Sequence, residues 1–268
     1  MSTEFANYYS QFGEDRLLDK LFRGKRQGFC VEVGANNGVD GSTTLHFEEL
    51  GWECILIEPN PTLCRELRAR RKARLFECAA SSKSGTAILQ VAVGAEQSHA
   101  VSALGDERKS AQILKEHGFR TEPVEVAIRR LDDILDEARP AGGIDFISID
   151  VEGHELELLE GFSLDRWRPA VLIIEDNSPM WESAVSDYLK AQGYVRFRRT
   201  GVNDWYAHVS RRDLTGPGRR LAYYPSMLFG RALMSALKAV TPIVPVLRRL
   251  PGALFVRDIL LGRRQRSS

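Results

Sequence analysis

The sequence predicts an α/β domain: a mostly parallel sheet with helices on both faces and a closing antiparallel hairpin. Short, near-continuous apolar runs alternate with longer amphipathic ones through the central chain, the pattern of strands buried on both sides and the helices that cover them. The first two runs end in turn chemistry, a glycine turn after Val33 and Asn60-Pro61 after Glu58. Near the end of this pattern Tyr194–Arg198 and Trp205–Val209 pair as a hairpin.

In chain order, strands are expected at Phe29–Val33, Cys54–Glu58, Arg74–Ala79, Phe146–Asp150 and Val171–Glu175. Helices are expected at Ser42–Gly51, Pro61–Arg71 and Glu155–Leu159. The second of these opens where Asn60 can cap and Pro61 can occupy the first turn. Between Thr86 and Glu125 the rhythm breaks into a strand, Thr86–Val93, and a polar insertion, Ser98–Arg120, of the kind that shapes substrate pockets. Val124–Leu135 then reads as a strand running into a short helix.

Gly216-Pro217-Gly218 marks a boundary, so residues 1–215 form the domain and 216–268 a tail. From Arg219 onward ten Lys/Arg stand against Asp258 alone, while the net charge of the 268 residues is only +1. Apolar residues at near-helical spacing (Met227, Leu228, Phe229, Leu233, Met234, Leu237, Val240) beside Arg231 and Lys238 suit docking on an anionic membrane surface or a partner protein. Packing against the chain's own domain would use the same stripe. Nucleic acid is not expected, because the basic residues lack interleaved aromatic platforms. The N-terminus has no basic start followed by an apolar stretch, and no apolar run reaches membrane-span length. A cytoplasmic protein, peripheral to the inner membrane face if the tail docks there, is expected. Cys30, Cys54, Cys64 and Cys78 show no C-x-x-C pairing and read as buried reduced thiols.

The segment FCVEVGANNGVDG is a buried strand ending in a glycine turn. Gly34 and Gly38 allow a tight turn and close backbone approach to a ligand. A dinucleotide fingerprint needs glycine where Asn36 stands, which disfavours a nicotinamide cofactor. Glu32, two residues before Gly34, matches instead the acidic-x-Gly pattern of methyltransferases. Glu58 ends the next strand about twenty residues on, where a carboxylate can accept both ribose hydroxyls of a nucleoside. In ECAAS, small Ala79 and Ala80 leave room for a flat adenine.

Taken together, SQFGED, VEVGANNG, IEPNP and ISIDVEGHELELLEGF resemble the FkbM-type methyltransferases from Ser10 to about Asn177. The resemblance implies a Rossmann-like methyltransferase fold, S-adenosylmethionine as cofactor, and transfer to a hydroxyl of a saccharide, glycan or related metabolite. By position it assigns Glu32, Gly34 and Glu58 to the cofactor, and Gln11 and Asp15 to an N-terminal motif closing over the ligand.

The segment ISIDVEGHE brings Asp150, Glu152 and His154 to the carboxyl edge of the sheet, where open α/β folds bind ligands. An attacking hydroxyl must lose its proton, and a histidine titrating near neutrality is a suitable base; a helix-start histidine can equally make a structural hydrogen bond. Asp150, Asp176 and Asn177 offer hard oxygens for Mg²⁺, similar to metal-dependent O-methyltransferases, although strand-end acids also cap helices or bind hydroxyls. A nicotinamide-dependent oxidoreductase and a cofactor-free adaptor anchored by the tail remain the alternatives. Asn36 argues against the first, and Glu32, Glu58 and Asp150 together argue against the second.

Overall fold

The computed structural model describes residues 7–93, 102–104, 120–177, 183–216 and 218. The strands are β1 (Phe29–Val33), β2 (Glu53–Ile57), β3 (Arg74–Phe76), β4 (Ala79–Ala80), β5 (Gly85–Val93), β6 (Ser102–Leu104), β7 (Arg120–Arg129), β8 (Phe146–Ile149), β9 (Val171–Glu175), β10 (Tyr194–Thr200) and β11 (Asn203–His208). Helices α1 (Glu14–Leu21), α2 (Leu45–Glu49), α3 (Pro61–Arg70), α4 (Leu131–Ala138), α5 (Glu155–Glu160), α6 (Leu164–Trp167), α7 (Ala184–Ala191) and α8 (Arg212–Thr215) connect or flank them.

The main sheet has seven strands in the order β10-β11-β9-β8-β1-β2-β3. Its strand pairs are parallel except where β11 runs against β9 and β10. This is a Rossmann-like α/β architecture with the expected closing hairpin. The strand order reverses between β1 and β8, so the turns leaving these two strands diverge and open a crevice at the carboxyl edge.

Alternating side chains divide the core between the two faces. Val31, Val33, Ile55, Ile57, Ile147 and Ile149 pack under α4 and α5. Cys30, Cys54, Phe146 and Ile173 pack with Leu18 of α1 and Phe47 of α2 on the other face. All five residues of β1 are buried, which is why its sequence reads as a continuous apolar run apart from Glu32. The four cysteines are free and buried.

Several boundaries differ from the sequence expectation, three of them for a reason visible in the fold. The strand expected over Arg74–Ala79 is two strands: after Phe76 the chain leaves the main sheet, and Ala79–Ala80 joins a second sheet of order β4-β7-β5-β6. The helix expected from Ser42 begins at Leu45, because the groups of residues 42–44 bond to Glu32 instead of propagating helix. The strand expected at Val124 starts at Arg120 and pairs along β5. By contrast α3 begins as expected, with Pro61 in the first turn and the Asn60 side chain accepting from the Thr62 N–H at 3.0 Å. Most of the insertion 98–120 and of the tail 216–268 lies outside the described residues, as do the apolar and basic positions named for tail docking. Among the described residues no helix is long and apolar enough to cross a membrane.

Gly34, just past β1, lies against the main chain just past β8. Its φ is 78°, and a Cβ placed there would lie 1.8 Å from the Asp150 carbonyl oxygen. Both backbone strain and a clash with main chain oppose any side chain. Gly34→Ala is therefore expected to destabilise the fold by about 3 kcal/mol or more, read as a lowered urea midpoint; an unchanged midpoint would show that the two strand ends separate freely.

Candidate active site

Two lobes of one cleft meet at Gly34 in the crevice between β1 and β8. The first, about 650 Å³, runs past the end of β2 and is walled by Glu58, Leu63, Cys78, Ala79 and Leu89, with His154 at its edge. The second, about 670 Å³, is walled by Gln11, Glu14, Asp40, Ser42, Thr43 and Asn203. Val33, Gly34, Asn36 and Asp150 border both lobes. The first lobe sets apolar side chains around the buried Glu58 carboxylate, with Asp150 and Glu152 at the junction, and the second is mostly polar.

The Glu58 carboxylate is 4% exposed. One oxygen accepts the Asn36 N–H and the other the Asn60 N–H, both at 2.9 Å. Burial outweighs these two bonds and pushes its pKa up to about 7. Each oxygen keeps the capacity for a further donor. Asn36, at φ 51°, takes a left-handed turn that aims its amide at this carboxylate.

A carboxylate group gathers at the junction. Asp150 presents surface to the cleft yet is walled by protein on most sides. Its pKa is raised well above the ordinary value by this desolvation, then by repulsion from and hydrogen bonding with Glu175, then by Glu152 and Glu155. Glu152 is raised to about 7 by desolvation, Glu175 and Glu155, and holds a left-handed φ of 53°. The His154 Nε2 lies 3.0 Å from Ser81 Oγ. Desolvation lowers its pKa against the opposing pull of Glu157, so the ring is neutral at pH 7.

Residues 32–196 match the family described as the FkbM methyltransferase domain. The chain belongs to this methyltransferase family. Among solved structures it is similar to precorrin-6y C5,15-methyltransferase from Geobacter metallireducens GS-15, at 12% identity and a TM-score of 0.37 over 76% of this chain and 92% of that one. No curated protein gives a significant match.

Of the residues named from the sequence, Glu32, Gly34, Asn36, Glu58, Ala79, Asp150, Glu152 and His154 of the FkbM domain border the cleft, as does Gln11 ahead of it. Others named from the sequence do something else. Asp15 is fully buried and lines neither lobe: its carboxylate accepts from the Tyr9 and Ser10 N–H groups and from Ser10 Oγ. Its neighbour Glu14 occupies the cleft wall, accepting from Thr200 Oγ1 at 2.6 Å and Asn203 Nδ2 at 2.9 Å. Both acids sit in SQFGED, and only the path of the hairpin decides between them. Gly38 lines neither lobe and packs against α3, where a Cβ would fall 2.4 Å from Leu67 Cδ2.

The oxygen set expected for Mg²⁺ is not assembled. Consecutive strand residues face opposite ways, so Glu175 meets Asp150 while Asp176 turns aside to accept from Ser183 Oγ at 2.5 Å. Asn177 donates to Glu175 at 2.9 Å. Among the described residues no group of three or more His, Cys, Asp or Glu is placed to hold a metal ion. Leu63, Leu89, Ser81 and Asn203 were not singled out from sequence. They come from separate elements and carry no local motif.

The raised carboxylates have a consequence for stability. Glu58, Asp150, Glu152 and Glu155 bind protons more tightly folded than unfolded, so the stability linked to them is present at low pH and lost as pH rises, through about 7 for Glu58 and Glu152. For buried Glu58 alone the loss is on the order of 3 kcal/mol. His154 acts oppositely and only below its ordinary value of 6.5. The ligand-free chain should show a higher urea midpoint at pH 5.5 than at pH 8; a midpoint that rises with pH would contradict these environments.

Proposed function

We propose that this FkbM domain takes a methyl group from S-adenosylmethionine and delivers it to a hydroxyl of a saccharide, glycan or related metabolite. The observation that carries the reading is the buried Glu58 carboxylate beside the apolar wall of one lobe, joined at Gly34 to a second, mostly polar lobe. Ribose hydroxyls can donate to the spare lone pairs of Glu58, and Leu63, Ala79 and Leu89 suit a flat base. Gln11, Asp40, Thr43 and Asn203 offer donors and acceptors for an amino-acid end. When bound, the cofactor supplies an electrophilic methyl on a positively charged sulfur. Carboxylates at the junction favour that charge over a neutral or anionic group.

Acceptor activation falls to the groups at the junction. Neutral His154 can take the hydroxyl proton, and Ser81 holds its ring in place. Glu152, titrating at about 7, is a second base at the same edge. Asp150, at the junction of the two lobes, stands where it can hydrogen-bond an acceptor hydroxyl. A neutral polyhydroxylated acceptor suits this acidic surround better than an anionic one.

Glu58→Ala should weaken S-adenosylhomocysteine binding by about 1–3 kcal/mol. Calorimetry showing unchanged affinity would remove Glu58 from the cofactor site. Binding should also weaken as pH falls below about 7, where Glu58 gains a proton.

Comparative mass spectrometry of glycans and metabolites with and without the gene identifies the acceptor as a species that loses one methyl group. With that acceptor, His154→Ala should lower kcat by about 10²–10⁴-fold while S-adenosylhomocysteine affinity holds. A drop confined to Glu152→Gln would transfer the role of base, and full turnover in both variants would exclude it for either group.

A further inference from the structure

Glu32 and Arg71 are far apart in sequence but enclose one short segment from two sides. Glu32 is 5% exposed and accepts three hydrogen bonds from residues 42–44: Ser42 Oγ at 2.8 Å, the Thr43 N–H at 2.6 Å and Thr44 Oγ1 at 2.6 Å. Arg71 caps the end of α3, and its side chain is 1% exposed. It donates to Ser42 Oγ at 3.1 Å, Thr44 Oγ1 at 3.0 Å, the Gly38 carbonyl at 2.7 Å and Glu48 at 2.9 Å. The nearest charged atoms of Glu32 and Arg71 are 3.7 Å apart. Two hydroxyls stitch them together, each donating to the carboxylate and accepting from the guanidinium.

This arrangement sets the direction of both hydroxyl protons and the path of the backbone between them. That backbone, with Asp40, Gly41 and Thr43, walls only the polar lobe. The apolar lobe is walled by other elements. Glu32 borders the polar lobe, but its oxygens are already engaged within the chain.

We propose that Arg71 is a positioning residue for the amino-acid end of the cofactor, acting with Glu32 through the 40–43 wall, with no direct role toward the adenosine end. The inference rests on the nucleoside reading of the cleft. Arg71 is required as arginine, because a lysine keeps the charge but lacks the planar fork that reaches Ser42, Thr44, Gly38 and Glu48 at once.

Two probes separate the ends of the cleft. S-adenosylhomocysteine carries the amino-acid end, and 5′-methylthioadenosine lacks it while sharing the adenosine and the sulfur. By calorimetry on the full chain, Arg71→Lys should weaken S-adenosylhomocysteine about tenfold or more and leave 5′-methylthioadenosine within about twofold. Ser42→Ala removes one hydroxyl of the stitch and leaves both charges in place, so it should show the same selectivity at about threefold or more. Should Arg71→Lys fail to fold, Ser42→Ala decides. Equal weakening of both probes, or of neither, overturns the assignment. Absence of binding of either probe to the wild-type chain would overturn the nucleoside reading itself.

Discussion

At the carboxyl end of β1, Gly34 lies so close to the Asp150 carbonyl at the end of β8 that no side chain fits between them. The rest of the site depends on this approach. It joins the two strands at which the sheet order reverses, and it leaves their outgoing turns on either side of one crevice. From β1 the chain turns through Asn36, whose amide meets Glu58. From β8 it turns through Asp150 and Glu152 toward His154. A side chain at position 34 would push these two sets apart, and the lobes would no longer share a floor.

Charge burial is the second organising constraint. The acid inside β1 and the acid just after β2 have opposite fates. Glu32 is surrounded by donors and a guanidinium, so its charge is compensated within the chain. Among the described residues Glu58 accepts from two backbone amides, and burial raises its pKa to about 7. A carboxylate under-supplied with donors gains most from a ligand that brings its own. The acids around Asp150 are likewise under-compensated, and they cluster where a cation and a hydroxyl nucleophile would meet. Stability withheld at these positions is available for binding.

Much of the fold was legible because it depends on local chemistry. Buried parallel strands leave near-continuous apolar runs, and Asn60-Pro61 announces α3 with its cap. The misplacements arose where a distant group overrode local preference. Residues 42–44 have a helical pattern but bond to Glu32, and the chain after Phe76 is drawn into a second sheet by β7. The choice between Glu14 and Asp15 was illegible for the same reason: Thr200 and Asn203, nearly two hundred residues away, select Glu14.

The sequence by itself determined the α/β class, the glycine turn, the strand-end acids and the motif set that places the chain among FkbM methyltransferases. Spacing and residue type suffice for these, since each expresses a local backbone or burial requirement. Only the tertiary structure decided how those residues are used. It turned Asp176 away from Asp150, set Asp15 to hold its own N-terminal segment, and committed Glu32 to a network with Arg71. A carboxylate's partners depend on which backbone amides, hydroxyls and guanidinium groups the fold brings within about 3 Å, and that proximity is a property of the assembled sheet.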